Sequence, residues 1–584
     1  MTDLGSPSLL PADAPPPSSL RSASQRRSFF TRLREEPNPV WTRELKQAAR
    51  LQRTPIILAV VTGMMTLLIC SVGGVASATA EPAKVGVGIF HTFFSLAFAV
   101  VTWVGPAVAA NTIAGERSGR TWEALQLTGL SPRTIARGKF LAAFTYISLY
   151  IVMLAPVGAL PFLFGGVTAS EVLIAFALLF LLAALAVAFG LAVSAKFQSP
   201  AAAIIVTLLV ALPLSLSVYG GAGVGLSFAA HEQWPGVPPG PPVWLPTAYV
   251  RADFGLAYFV YLLLLPTVAT LIPAWLFYEA TVANMGSPSD DRSTRLRLWF
   301  LTALPTVSVC ACLVAWLARD LDWLYSAGGL IWVFGCFGAF LFSGEPLGPS
   351  VRVRAKWQRE GTSSFRQSLG PGILRAGMLL LLLTLVCLTG CAAVGLIKAK
   401  STAERDALLA FHGYAMAFFV FVVGFTAWAR ARTQNPATPR LLLAAALFFA
   451  FVGPWIAMAV AGIVSTDSGR AILLAGPSPT FAVSMVAAIS RSAPEVGLML
   501  ATGCACAAAW ALIGVGLFAV AGARVNTRIQ AESKARLAMQ RAFEQEDAAQ
   551  EAAAVAAESP AVALDPADPA ASSAPDAPQT PDAG

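Results

Sequence analysis

Residues 170–195 read SEVLIAFALLFLLAALAVAFGLAVSA, and Glu171, at the edge, is the one charged residue among them. A helix of that length, rising 1.5 Å per residue, covers a hydrocarbon core ~30 Å thick. Comparable runs recur along the 584 residues, near 55–76, 87–111, 139–164, 200–224 and 253–277, and again near 298–318, 323–343, 372–397, 408–428, 440–464 and 496–520. Hydrophobic residues make up 56% of the chain and charged ones 12%, against about 25% charged in soluble domains. Lipid is the solvent this composition fits. The predicted fold is an all-α polytopic membrane protein of about twelve transmembrane helices.

The formal charge of +8 does not indicate nucleic acid, because the basic residues sit in short segments between apolar runs and build no basic domain. All eight cysteines (Cys70, Cys310, Cys312, Cys336, Cys387, Cys391, Cys504 and Cys506) fall inside apolar runs, where a disulfide framework has no place. We read them as small packing side chains, with a soft metal ion on the Cys-x-Cys pairs as the lesser alternative. The first 54 residues hold no apolar stretch of secretory-signal type.

Residues 1–28 and 551–584, rich in Pro, Ser and Ala or in Ala, Pro and Asp, are expected to be disordered tails. Between the first tail and the first span, residues 29–54 space Val40, Trp41, Leu45, Ala48, Ala49 and Leu51 as an amphipathic helix at the membrane surface. Residues 523–550 read as a cytoplasmic helix. With the N-terminus inside, cytoplasmic segments carry 32 of the 40 Lys and Arg and outside segments carry 8. That bias places both termini in the cytoplasm. The spans fall into two sets of six with one rhythm: two spans, a long inside loop, three spans, a longer outside segment and a last span. Gly115-Glu116 stands opposite Gly344-Glu345, and Pro246-Thr247 opposite Pro479-Thr480. The reading is a parallel repeat, one unit over 55–285 and a degenerate one over 290–522.

The long loop of the first unit, 114–139, reads AGERSGRTWEALQLTGLSPRTIARGK. Ile113, Trp122, Leu125, Leu127 and Leu130 are expected to form an apolar side toward the bilayer. Glu116, Arg117, Arg120 and Glu123 are expected to form a charged side toward the cytoplasm, with Glu116 and Arg120 paired four residues apart. Ser131-Pro132 can cap the following span. This loop, as Glu116-Arg117, Gly119, Thr121, Glu123, Leu125, Thr128, Leu130-Ser131, Ile135 and Gly138-Lys139, resembles the coupling-helix signature of ABC type-2 permeases. Trp122 stands where that family often has Leu, and Arg120 intervenes between the Gly and the Thr. The leading segment Asn38-Pro39-Val40, Arg43-Glu44-Leu45 and Arg50 resembles the interfacial helix of the same permeases, and Gly165-Gly166-Val167 with Glu171 fits as well.

The resemblance implies a permease of an exporter type in the inner membrane, with a coupling helix near 113–131 seated on a separate cytoplasmic ATPase subunit. ATP and Mg would then be held by that partner, with no cofactor bound by this chain. Coupling residues would be Glu116, Arg117, Gly119, Arg120, Thr121, Trp122, Glu123, Leu125, Leu130 and Ser131, and the interfacial helix would contribute Asn38, Pro39, Arg43 and Glu44. The second loop, SGEPLGPSVRVRAKWQREGTSSFRQSLGPG, keeps only Glu345 and lacks the Glu-x-Leu element, so coupling is expected to be asymmetric. Whether a second permease or a second copy joins the chain stays open.

A phosphate-cradling Gly-x-x-x-x-Gly-Lys-[Ser/Thr] loop is missing from the sequence, as are protease motifs of the His-Glu-x-x-His or Gly-x-Ser-x-Gly kind. The chain is therefore expected not to be an enzyme itself. Glu171, Asp253, Glu279 and Asp406 sit at or beyond span ends, and His91, His231 and His412 read as satisfied interfacial side chains, which counts against ion coupling. An ion-coupled transporter and a non-transporting scaffold are the competing readings. The outside segments 225–252 and 465–495 are expected to fold as short amphipathic or re-entrant elements.

Overall fold

The computed structural model describes residues 37–50, 53–78, 80–287, 290–318, 320–464 and 471–558. The predicted tail 1–28, the start of the predicted amphipathic helix at 29–36, and residues 559–584 lie outside the described residues. Among the described residues every regular element is helical, and twelve helices are long and apolar enough to cross a membrane. They are Ala59–Ser77, Pro82–Ser118, Pro132–Met153, Ala169–Ser194, Pro200–Gln233, Leu256–Met285, Ser293–Leu317, Asp322–Phe342, Ile373–Lys398, Thr402–Arg432, Thr438–Ile463 and Val496–Ala552. Each coincides with one expected span, and we call them spans 1 to 12. A helix over Pro39–Arg50, here the leading helix, precedes them.

Local chemistry sets where they start. Proline occupies the first turn of spans 2, 3 and 5, where its missing N–H costs nothing. Spans 4 and 10 open on reciprocal capping boxes, Thr168 with Glu171 and Ser401 with Glu404. Span 2 has 37 residues, about 55 Å of helix, so part of it must stand clear of the hydrocarbon.

Three boundaries differ from expectation for identifiable reasons. The apolar run expected to extend to 164 breaks after Met153 into short helices Ala155–Gly158 and Leu160–Phe164, because Pro156 and Pro161 cannot continue the ladder. Span 5 runs on to Gln233 through a π-helical stretch, Val218–Gly225, where four glycines tolerate the wider turn. Trp244 donates to the Ala222 carbonyl at 3.2 Å, and Tyr249 to the Leu262 carbonyl in a second π stretch, Phe259–Leu264. The segment after span 5 thus satisfies carbonyls in the irregular turns of spans 5 and 6. Lastly, helix continues through Glu558, where disorder was expected from 551; Glu551, Ala552, Ala553 and Ala554 are strong helix formers.

Close approaches lock neighbouring spans. A Cβ on Gly190 would meet the Pro106 carbonyl of span 2 at 2.2 Å, and one on Gly424 the Gly514 carbonyl of span 12 at 2.1 Å. One hydrophobic cluster runs from Val40 to Met285 around Phe90, Phe93 and Phe94. Another runs from Leu276 to Met499 around Trp299, Phe300, Phe418 and Phe419. Span 6 touches both, through Met285 and Leu276. Among the described residues those from 523 to 558 form a separate unit, a helix with Leu537, Met539 and Phe543 exposed.

Candidate functional site

The loop after span 2 is built from three short-range devices. Span 2 ends at Ser118, Gly119 follows, and Arg120 turns the backbone at φ 58° into a helix over Thr121–Leu127. The left-handed conformation costs a non-glycine residue about 1–2 kcal/mol. Thr121 Oγ1 donates to the Glu116 carbonyl at 3.3 Å across this hinge. Gly129, at φ 70°, ends the loop helix. Ser131 then caps span 3, accepting the Thr134 N–H at 3.2 Å, with Pro132 at the first helical position as expected.

That hinge separates Glu116 from Arg120, so the expected pair does not form. Glu116 turns inward instead. Its Oε2 lies 3.0 Å from Nζ of Lys139, whose side chain is 0% exposed, and its Oε1 accepts from Arg43. Lys139 also donates to Glu44 Oε1 at 3.2 Å and to the Thr112 carbonyl at 3.2 Å, while Arg43 holds Glu44 at 2.8 Å. Two cations and two carboxylates therefore close one ring between the leading helix, the end of span 2 and the start of span 3. Burial on its own would raise the Glu44 carboxyl, but the Lys139 ammonium and Arg43 hold it below the usual carboxylate range. Burial likewise opposes the Arg43 charge, yet Glu44 and Glu116 raise its guanidinium above the ordinary value.

The leading helix docks by complementary shape as well. Asn38 Oδ1 caps it, accepting the Val40 N–H at 3.0 Å, with Pro39 in the first turn. Its Nδ2 donates to the Thr134 carbonyl at 2.8 Å. A Cβ on Gly138 would sit 2.5 Å from Asn38 Oδ1 and 2.6 Å from the Val40 Cβ. Only glycine admits so close an approach. Trp41 donates to Thr145 Oγ1 at 3.3 Å about two turns further along span 3.

Further ties brace the loop. Arg117 donates to the Ala195 carbonyl at 2.7 Å and stacks 5.3 Å from the Trp122 ring. Arg133 grips Glu279, at the end of span 6, with both distances 3.0 Å. On the loop helix Leu125 is 4% exposed, and Leu130 and Trp122 pack on the same cluster. Leu127 departs from the expected apolar side: it is 87% exposed and shares an outward face with exposed Glu123, four residues away. Among the expected site residues, then, Asn38, Arg43, Glu44, Glu116, Arg117 and Ser131 fasten the base, Gly119, Arg120 and Thr121 form the hinge, and Glu123 faces out.

The second loop is built differently. Glu345 is paired with Arg297 of span 7, whose side chain is 0% exposed; Arg297 Nε donates at 3.2 Å and its Nη2 also reaches the carboxylate. Arg297 further donates to the Gly372 carbonyl at 2.8 Å, and Arg430 donates to the Glu345 carbonyl at 2.6 Å. Burial pushes the Glu345 carboxyl up, with Arg297 pulling it back.

Sequence reasoning missed a cavity of about 510 Å³ between spans 1, 2 and 5, lined in part by His91, Ser95, Trp103, Ser215 and Tyr219. Trp103 donates to Ser215 at 2.7 Å and Tyr219 to Ser95 at 3.2 Å. No spacing rule singles out such residues in apolar spans. His91 Nδ1 is buried with no hydrogen-bond partner among the described residues, and so is Nε2 of His412, so neither ring is fully satisfied as expected. His231 does pair, with the Val237 carbonyl at 2.7 Å. Among the described residues no three or more His, Cys, Asp or Glu group to hold a metal.

Twelve apolar spans define a multi-pass membrane protein. Within it, residues 56–239 match the family described as ABC-2 family transporter protein, which supports an ABC-2 type permease. The matched segment contains the whole loop from Glu116 to Lys139. No curated protein and no solved structure matches the chain.

Proposed function

We propose that this chain is the membrane permease of an ATP-driven exporter in the inner membrane, moved by a cytoplasmic ATPase that grips the loop helix Thr121–Leu127. The family match over residues 56–239 supports a transport role, and that family usually works with such an ATPase. The observation that carries the coupling is the partly open ion ring of Arg43, Glu44 and Glu116 around the buried Lys139. A push on the outward Glu123–Leu127 face reaches Glu116 through one hinge, and from there reaches span 3 through the buried Lys139 and the leading helix through the half-exposed Arg43. ATP and Mg belong to the partner in this reading.

The same reading takes both termini as cytoplasmic and the chain as two parallel six-span units, 55–285 and 290–522. The two hydrophobic clusters support that division. So do the short helices Leu245–Arg251 and Phe481–Ser490, each preceding its half's last span with Pro-Thr near its start. Coupling is asymmetric, because the second loop offers no acidic, apolar outward helix.

The test is copurification from the native host. A cytoplasmic ATPase should accompany the wild-type chain and be lost on Glu123→Lys, a change on an exposed residue that leaves the ring intact. An unchanged ATPase yield would overturn the assignment.

A further inference from the structure

The second loop carries a feature that the coupling proposal leaves unused. Between spans 8 and 9 lies a helix over Val351–Glu360, capped by Ser350 and closed by Gly361 at φ 57°. Val353 is buried, and Trp357 packs inward: a Cβ on Gly370 would meet its ring at 2.3 Å, and the Arg375 guanidinium lies 5.5 Å from it. These two residues, four apart, fix which side of the helix faces the protein. Arg352, Lys356 and Arg359, at the same helical spacing, then share one exposed flank, and Arg354 and Arg366 are exposed as well. Acidic neighbours are few: Asp290 lies 3.3 Å from Arg352, and Glu360 3.9 Å from Lys356. Apolar Val351 and Phe365, 53% and 65% exposed, flank the basic residues.

We infer that this helix is a docking surface for the anionic phospholipid headgroups of the bilayer that surrounds the chain. The charge is complementary, and the position is enforced. The loop leaves span 8 at Phe342 and re-enters at Ile373, and its base is pinned by Arg297, Glu345 and Gly372, so the helix cannot move far from the headgroup level. Cationic side chains with adjoining exposed apolar groups are the composition that binds anionic membrane surfaces. The inference needs no ATPase and stands apart from the coupling proposal.

The test is backbone hydrogen exchange over 351–360 in the full chain. It is reconstituted in phosphatidylcholine vesicles and in vesicles of phosphatidylcholine with phosphatidylglycerol. Exchange should slow by roughly tenfold with the anionic lipid and recover in high salt, which screens surface charge. The variant R352Q/K356Q/R359Q, all on exposed positions, should show no lipid effect. Equal exchange in both vesicles would overturn the inference, and so would protection that appears only when an ATPase is added, which would make the surface a protein site.

Discussion

Each of the two long loops carries an acid near its start, Glu116 or Glu345, and uses it differently. Glu116 is 13% exposed and shared among the leading helix, span 2 and span 3, and the helix beyond it shows Glu123 and Leu127 to water. Glu345 is sealed against Arg297 and the turn before span 9, and the helix beyond it is basic. A shared, partly open ion cluster can change partners when pulled. A bidentate pair buried with carbonyls on its remaining donors is a fixture. In the proposed coupling, the acid shared among three elements is the joint that moves, and the acid sealed on Arg297 is a rigid corner.

The largest effect should come from the rigid corner. Arg297→Met leaves Glu345 buried without its cation, and thermal unfolding in detergent should show a loss of about 3–5 kcal/mol. Adding Glu345→Leu should recover much of it. A cost no larger than a surface change would erase the contrast between the loops. In the joint, Gly138→Ala drives a methyl into Asn38 and Val40, and should cost about 1–3 kcal/mol and loosen the leading helix, read by proteolysis near Pro39–Arg50. Asn38→Ala removes a cap and the bond to Thr134 and should cost about 1 kcal/mol.

A pH dependence sharpens the comparison further. The folded-state Glu44 carboxyl is held below its unfolded value, so its stabilisation is complete above the unfolded value near ~4.3 and is lost as pH falls through the lower folded one. Glu44→Gln should flatten that part of the acid unfolding curve, and an unaltered curve would show that the ring contributes nothing to folding.

How much of this was legible follows from the physics of each part. All twelve spans could be read because apolar length is a one-dimensional signal, and Ser131-Pro132 declared its cap locally. Glu116 and Lys139 were visible as residues, but not their meeting, which depends on Arg120 adopting a left-handed turn that no spacing rule foretells. Apolar character grouped Leu127 with Leu125, but residues two apart on a helix face opposite sides, so burying Leu125 exposes Leu127. The partner of Glu345, Arg297, is 48 residues away and on another span, beyond the reach of pattern.

The most direct measurement replaces Leu127 or, separately, Lys356 with a photo-crosslinking residue in the native membrane. An adduct with a cytoplasmic ATPase is expected from position 127, and little or none from position 356. Equal adducts from both positions, or none from 127, would contradict the coupling proposal.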